Sequence, residues 1–340
     1  MAEQLRWGIL GTGNIAHQFV QGVRGIAEPH RSILAAVGSR AQATASDFAD
    51  QYDIPTAHAS YEALIKDDQV QGVYVSLPNH LHHAWTIKAL QAGKHVLCEK
   101  PLSVNAKQAN EMFDCAQQHD RVLMEAFMYR CHPLTHAVIQ AIEQGVIGQV
   151  RLIQTSFCYR TRYIEGNTRF SVDLAGGALM DIGCYCVNFS RMIAKGEPTA
   201  VHAVGTLHAS GVDENVAGTL TFDDGVLAHF ACGMGVQTNN TARICGTEGY
   251  LEVPVPWKPP TDQAIYVVDG MTPPRQEATH DAKPSRQTFH VDADMPLYGL
   301  EAEHFADVVL DGKPTPLTRQ DSVGNMLVLD QLRQQVGLPF

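Results

Sequence analysis

From residue 5 to about residue 125, short apolar runs alternate with amphipathic stretches. The runs "LRWGILG", "ILAAVGS", "GVYVSLP", "HVLCEK" and "RVLMEAF" are short and bounded by turn residues, so they read as buried strands. Between them, residues 14–25, 41–52, 60–66, 80–92 and 105–119 carry helical spacing. Gly93 closes one of these helices before "HVLCEK" opens. Strands that alternate with helices imply right-handed crossovers and a parallel sheet.

After about residue 128 the texture changes. "PLTHAVIQAIEQG" reads as a helix with Pro133 in its first turn. Longer β-type runs follow: "QVRLIQTSFCYR", "AVHAVGTLHA", "NVAGTLTF", "GVLAHFACGMGV", "TARICG" and "GYLEV". "FDDGV" and "GTEGY" read as hairpin turns, so these runs are expected to pair antiparallel. One helical insertion, "GGALMDIGCYCVNFSRMIAKG", interrupts them. A Pro-rich loop at 254–260 and a polar, mobile stretch at 272–288 come next, and residues 297–311 and 320–336 read as helical. The expected class is α/β, with two domains, 1–127 and 128–340.

Composition narrows the function. The chain has 340 residues, 45% of them apolar and 18% charged, an ordinary globular balance. Acidic residues outnumber basic ones by 36 to 25, a net charge of −11, which argues against a nucleic-acid partner. No apolar run is long enough to span a membrane. The start, "MAEQLRWGIL", lacks the pattern of a signal peptide, so a cytoplasmic protein is expected. Eight cysteines are scattered without a CxxC and read as buried free thiols rather than disulfides or zinc ligands.

"WGILGTGNIAHQFVQGV" carries G-x-G-x-x-A between a strand and a helix, as a dinucleotide fingerprint requires. Gly11 permits the tight turn, Gly13 lets the backbone approach a pyrophosphate, and Ala16 allows close helix packing. The turn residues Gly11, Thr12, Gly13, Asn14 and Ile15 are therefore expected cofactor contacts. At the end of the second strand, "AAVGSRAQA" offers no acid for a ribose; Ser39 and Arg40 suit a 2′-phosphate, so NADP is expected. The alternative is that Arg40 merely starts the next helix and NAD is accepted. In "SLPNHLHHAW", Leu77, Pro78 and Asn79 make a turn at the carboxyl end of the sheet that can flank the nicotinamide ribose. His82 is expected to cap or pack the helix there. The spacing of His80, His82 and His83 does not make a metal site, and no metal is expected.

"LCEKPL" sets Glu99, Lys100 and Pro101 at the end of a strand on the same edge. A lysine there can bond a substrate hydroxyl and favour its alkoxide, or lower the pKa of a neighbouring acid. Pro101, through a cis bond for example, can aim that lysine inward. "GALMDIGCY" reads as a helix in which Asp181 and Tyr185 are four apart and share a face. A phenol is a poor base at neutral pH unless a cation lies beside it, and Lys100 is the expected cation. Asp181 can accept a bond from a second substrate hydroxyl or hold Lys100. Phe127, Met128 and Tyr129, with Phe157, can line a wall for a sugar ring or a bulkier diol. Arg130 can reach substrate or tie the domains together.

The order "GTGNIA", "LPNHLHH", "AGKHVLCEKPL", "MEAFMYRCHP", "IGQV" and "GGALMDIGCY" closely resembles the Gfo/Idh/MocA oxidoreductases. Within that family it is most similar to the branch of dimeric dihydrodiol dehydrogenase and NADP-dependent D-xylose dehydrogenase. The resemblance is strongest over 7–190 and weak after 254. It implies a Rossmann domain over 1–127, followed over 128–340 by a substrate-binding domain with a large, mostly antiparallel sheet that supports dimerisation. The family's lysine falls on Lys100 and its aspartate on Asp181, with Gly177 and Gly183 as the motif's glycines. Tyr185 stands where histidine is frequent elsewhere in the family, as this branch has it.

The expected activity is therefore hydride transfer between NADP and a carbinol or carbonyl carbon of a sugar or cyclic diol. Tyr185 is the proton carrier, Lys100 the cation, and Asp181 the substrate-orienting group. Two rivals stand beside it: transient use of NAD in glycosidic cleavage, and a non-catalytic NADP sensor. Partners are expected to be a small polyol or sugar and a second copy of the chain, as a homodimer or a dimer of dimers.

Overall fold

A computed structural model describes residues 3–28, 30–270 and 285–338. The chain divides into two compact units. One runs through Cys131 and also takes in Asp173–Ala175 and Asp294–Met326; the other holds His132–Val172, Gly176–Ala293 and the residues from Leu327 onward.

The first unit is built on six parallel strands: β1 (Leu5–Leu10), β2 (Ser32–Gly38), β3 (Thr56–His58), β4 (Gly72–Val75), β5 (His95–Glu99) and β6 (Leu123–Ala126). They lie in the order β3-β2-β1-β4-β5-β6, so the chain reverses its direction of travel between β1 and β4. Helices α1 (Asn14–Arg24), α2 (Gln42–Tyr52), α3 (Tyr61–Ile65), α4 (Asn79–Gln91) and α5 (Ala106–Gln118) connect them, within a residue or two of the spans the apolar spacing predicts. Strand β3 is not among the runs read as strands. Its three residues are all half-buried and too few to show a pattern.

The core of this unit is aromatic. Trp7 of β1 packs edge-on against Phe19 of α1, with ring centroids 5.2 Å apart, and against Phe305, 5.1 Å away. Phe19 in turn stacks on Tyr74 of β4 at 3.9 Å. Phe305 belongs to α8 (Leu297–Asp311), which lies beside α1. The two helix backbones touch: a Cβ on Gly22 would sit 2.6 Å from Tyr298 Cβ and 2.8 Å from Gly299 N.

The second unit opens with α6 (Pro133–Glu143), whose first residue is the proline expected there. Its sheet has eight strands: β7 (Val150–Cys158), β8 (Ala200–Leu207), β9 (Asp213–Thr221), β10 (Leu227–Gly233), β11 (Ala242–Gly246), β12 (Gly249–Val253), β13 (Ala264–Gly270) and β14 (Arg286–Val291). The order is β14-β13-β12-β11-β7-β10-β9-β8. All neighbours are antiparallel except β7 and β10, which run parallel. The sheet is thus mostly antiparallel, as expected, with one parallel pair near its centre. A long excursion, containing α7 (Cys184–Ala194) and the β8–β9 hairpin, separates β7 from β10 and returns the chain in the same direction.

Strands β13 and β14 are not among the runs read as strands. Residues 286–288 of the stretch read as mobile belong to β14, and residues 272–284 lie outside the described residues. β14 is an edge strand exposed along most of its length, so no buried face imposes an apolar period on it. The last helix, α9, spans Arg319–Gln335.

The α1–α8 contact is a packing constraint with a measurable cost. Gly22→Val should lower the unfolding free energy in urea by about 1–3 kcal/mol. Gly196→Ala, where the atom nearest a new Cβ is 3.9 Å away, should change it by about 0.5 kcal/mol or less.

Candidate active site

Parallel strands end on one edge of their sheet, and the sequence motifs of the first unit collect there. Gly11 follows β1 with φ +106°, a conformation side chains rarely adopt. A Cβ on it would also lie 3.0 Å from Ser76 O and from Leu77 Cδ2. Its N–H donates to Gly38 O at 3.0 Å, tying the ends of β1 and β2. Ser76 ties β4 to β1 through its N–H and its hydroxyl, each 3.1 Å from Leu10 O.

Gly13 is the N-cap of α1, and no side chain caps this helix. A Cβ on Gly13 would meet nothing within 4 Å. Ala16, by contrast, is fully buried against the sheet. The first turn of α1, Asn14 and Ile15 included, holds no acidic residue, so its N–H groups and positive end present an anion site with open space before it. This is a cradle that fits a dinucleotide pyrophosphate. Thr12 lies in the turn. Ser39 is buried and its N–H donates to His58 O at 3.1 Å, while Arg40 is exposed at the end of β2.

Leu77 is buried, Pro78 is the N-cap of α4, and the Asn79 amide donates to Ala175 O at 2.8 Å. His82 is wholly buried with Nε2 2.7 Å from Leu77 O and Nδ1 2.9 Å from Pro101 O. It therefore clasps the turn after β4 to the turn after β5. Burial, with Lys100 nearby, pushes its pKa down to about 4 despite the two carbonyls. At neutral pH the ring is uncharged and gives its single N–H to one carbonyl at a time.

Glu99, at the end of β5, is buried and accepts bonds from the Tyr74 phenol and from the Lys100 N–H. The Lys100–Pro101 peptide bond is cis. The Lys100 side chain is half-buried, and the Leu102 N–H donates to Glu125 of β6 at 2.8 Å. Phe127 and Met128 are buried at the end of β6. Arg130 donates to Pro316 O at 2.9 Å and stands 3.7 Å from Asp321.

Asp181 and Tyr185 lie in the second unit. They occupy one helix, but its opening turn, Leu179–Gly183, is π-helical and only Cys184–Ala194 is α-helical. The sequence pattern does not announce this wider turn, a feature frequent at functional sites. Asp181 sits within it and Tyr185 just beyond it. The Asp181 carboxylate is largely buried and accepts the Tyr159 phenol at 2.6 Å and Arg169 Nε at 2.9 Å. Burial, then the Asp181 charge, raises the pKa of Tyr159, so that phenol stays a donor.

Tyr185 is buried in an aromatic box. Phe157 of β7 meets it edge-on at 5.4 Å and stacks on Trp257 at 5.6 Å. Trp257 lies 6.0 Å from Tyr185 and 5.7 Å from Phe189, and its indole N–H donates to Ser156 O at 2.8 Å. Sequence reasoning missed Tyr159, Arg169 and Trp257. The signals available were "CYRTRY" for Tyr159 and a tryptophan bracketed by prolines in "VPVPWKPP" for Trp257; Arg169, in "GNTRF", carries none. Glu301 of α8 was also missed. It is fully buried, and burial together with the Glu99 charge pushes its pKa well above the usual carboxylate range.

All eight cysteines are free, and seven of them are buried. Among the described residues, no cluster of three His, Cys, Asp or Glu side chains could hold a metal, and no helix is long and apolar enough to cross a membrane.

Comparison with known proteins agrees with both folds. Residues 5–127 match the NAD-binding Rossmann fold of the Gfo/Idh/MocA oxidoreductases, and residues 135–252 match that family's C-terminal domain. The chain belongs to the Gfo/Idh/MocA oxidoreductase family. It is 34% identical to D-xylose 1-dehydrogenase (NADP(+)) 2 of Haloferax volcanii, over 96% of each chain. It is 33% identical to the human trans-1,2-dihydrobenzene-1,2-diol dehydrogenase, over 99% of this chain and 98% of that one. Among solved structures, a 3-ketoreductase of Actinomadura kijaniata in complex with NADP and TDP-benzene superposes with a TM-score of 0.85 at 29% identity, over 98% of each chain. An aldose-aldose oxidoreductase of Caulobacter crescentus, complexed with glycerol, has the same TM-score at 25% identity, over 98% of this chain and 97% of that one.

The buried His82 predicts an acid sensitivity in this family member. Its folded pKa lies below its unfolded value, so its contribution is present above about pH 6.5 and is lost as pH falls through about 4. Urea titrations should show stability falling by about 2–4 kcal/mol over that window, and His82→Gln should flatten the slope.

Proposed function

We propose that this chain is an NADP-dependent oxidoreductase that moves a hydride between nicotinamide C4 and the carbinol or carbonyl carbon of a sugar or cyclic diol. The observation that carries the reading is the uncapped start of α1 behind Gly11 and Gly13, with open space before it, in a Rossmann unit. Full-length similarity to an NADP-dependent xylose dehydrogenase and to dihydrodiol dehydrogenases supports the substrate class. A ketoreductase of like fold in complex with NADP, and an exposed Arg40 at the end of β2, support NADP over NAD.

In this proposal residues 1–127 hold the nucleotide. Gly11, Thr12, Gly13, Asn14 and Ile15 cradle the pyrophosphate, and Ser39 and Arg40 bind the 2′-phosphate. Leu77, Pro78, Asn79, His82 and Glu99 shape the nicotinamide ribose site, His82 and Glu99 by fixing the turns around it. Residues 128–340 carry the substrate side and self-association. When bound, the nicotinamide supplies the hydride acceptor or donor. Tyr185 takes the hydroxyl proton in oxidation and returns it in reduction. Lys100 stabilises the phenolate or alkoxide, since a phenol needs a nearby cation to lose its proton near neutral pH. Asp181 orients the substrate through a second hydroxyl. Phe157, Phe127, Met128 and Arg130 complete the substrate contacts. We further propose a cytoplasmic homodimer, or dimer of dimers, associating through the eight-stranded sheet.

Lys100→Ala and Tyr185→Phe should each lower turnover by about 10²–10⁴-fold. NADPH affinity, read by fluorescence titration, should stay within about twofold in both variants. Equal loss of turnover and cofactor binding would contradict the assigned roles.

A further inference from the structure

The helix that carries Asp181 and Tyr185 begins where the chain leaves a loop, and a buried carboxylate meets it there. Asp213, the first residue of β9, is fully buried. Its Oδ2 accepts the Leu179 N–H at 2.6 Å, at the first residue of the π turn. Its Oδ1 lies against Gly177, where a Cβ would come within 1.9 Å of it. Gly177 also has φ +110°, so only glycine fits between that carboxylate and the helix start.

A carboxylate at a helix N-terminus satisfies an orphan N–H and complements the helix dipole. Asp213 comes from a strand more than thirty residues further along the chain, so it fixes the helix start to the sheet rather than merely ending a local loop. Asp181 stands two residues past the anchored Leu179 N–H, and Tyr185 six residues past it.

We propose that Asp213 is a positioning residue for the reaction, holding the π turn so that Asp181 and Tyr185 keep their productive aim. This inference rests on the roles given to those two residues above.

The groups facing Asp213 are few. The π turn and Ala178 bring backbone N–H groups, β8 brings Leu207 as its register partner, and β10 brings the Cys232 thiol, kept neutral by burial. From α9, Arg333 attracts the charge, with Asp330 beside the guanidinium. Burial outweighs the N–H bonds and Arg333 and raises the Asp213 pKa to about 6. The ionised form is the one that grips the helix, so turnover should fall as pH drops through that value. The stability contribution has the opposite sign. A carboxyl whose folded pKa is raised contributes stability that is present below its unfolded pKa and lost as pH rises through its folded pKa. Acid should therefore weaken catalysis while this group favours the fold, which a purely structural cap would not do.

The test compares the full chain with its Asp213→Asn and Asp213→Ala forms between about pH 5 and about pH 8. Four quantities are read: kcat, KM, the NADPH dissociation constant and amide hydrogen exchange over residues 178–185. The wild type should lose about tenfold in kcat per pH unit below about pH 6. Asp213→Asn keeps an oxygen acceptor without a titratable charge. It mimics the protonated acid, so kcat should stay near the low-pH wild-type level throughout, with no acid limb, and exchange over residues 178–185 should be faster than in the wild type at about pH 8. Asp213→Ala should lower kcat by about tenfold or more and speed exchange at Leu179–Ile182 by a similar factor, for one lost charged hydrogen bond. NADPH binding should change by less than about twofold, because the cradle lies on the other unit.

An acid limb that persists in Asp213→Asn, or a wild-type profile flat between about pH 5 and about pH 7, overturns the proposal. So does Asp213→Ala with kcat and exchange both unchanged. If Asp213→Ala fails to fold, the Asp213→Asn profile decides. If the wild type turns over no sugar or diol, the functional reading fails instead, and the exchange rates over 178–185 still report whether Asp213 holds the helix.

Discussion

Because all strands of the first sheet run the same way, all of them finish on one edge. That constraint governs the chemistry of the N-terminal unit. The Gly11 turn, Ser39 and Arg40, the Leu77–Asn79 turn and Lys100 are far apart in the chain, yet each directly follows a strand of one parallel sheet. Short bonds then stitch the strand ends together, from Gly11 to Gly38, Ser76 to Leu10, and His82 to both Leu77 and Pro101. An open anion cradle is the result, framed by backbone and small residues rather than by flexible side chains.

The second unit uses a different device for a related end. The helix that carries Asp181 and Tyr185 is held by contacts distant in sequence: Asp213 at its start, Tyr159 and Arg169 on Asp181, and the Phe157–Trp257 pair around Tyr185. Each fixes one rotamer or one backbone segment. Buried polar groups are costly unless they are bonded, so their concentration at this helix marks it as a place where position outweighs stability.

Much of this was legible in the sequence because the governing physics is local. A G-x-G-x-x-A turn needs only a strand before it and a helix after it, and the structure has both at Gly11–Ala16. Helix periods in the first half and the runs that became β7 to β12 were equally local. What was hidden depends on distance. β3 is too short to show a period, and β14 is an exposed edge with no buried face to write one. The parallel pairing of β7 and β10 depends on the path of the residues between them. Trp257, Asp213 and Glu301 gain their meaning only from partners dozens to hundreds of residues away, and the π turn at 179–183 differs from an α turn by one residue that spacing does not reveal.

The central claim is that a hydride, and not merely a proton, passes between the substrate carbon and the cofactor. Deuterium placed on the carbinol carbon of a turned-over aldose or diol tests it most directly, with the reduced nicotinamide examined by NMR after a single turnover with NADP. The account predicts that the label appears at C4 of the nicotinamide, on one face only. Product formed with the label released to water, or with the nicotinamide unlabelled, would contradict it.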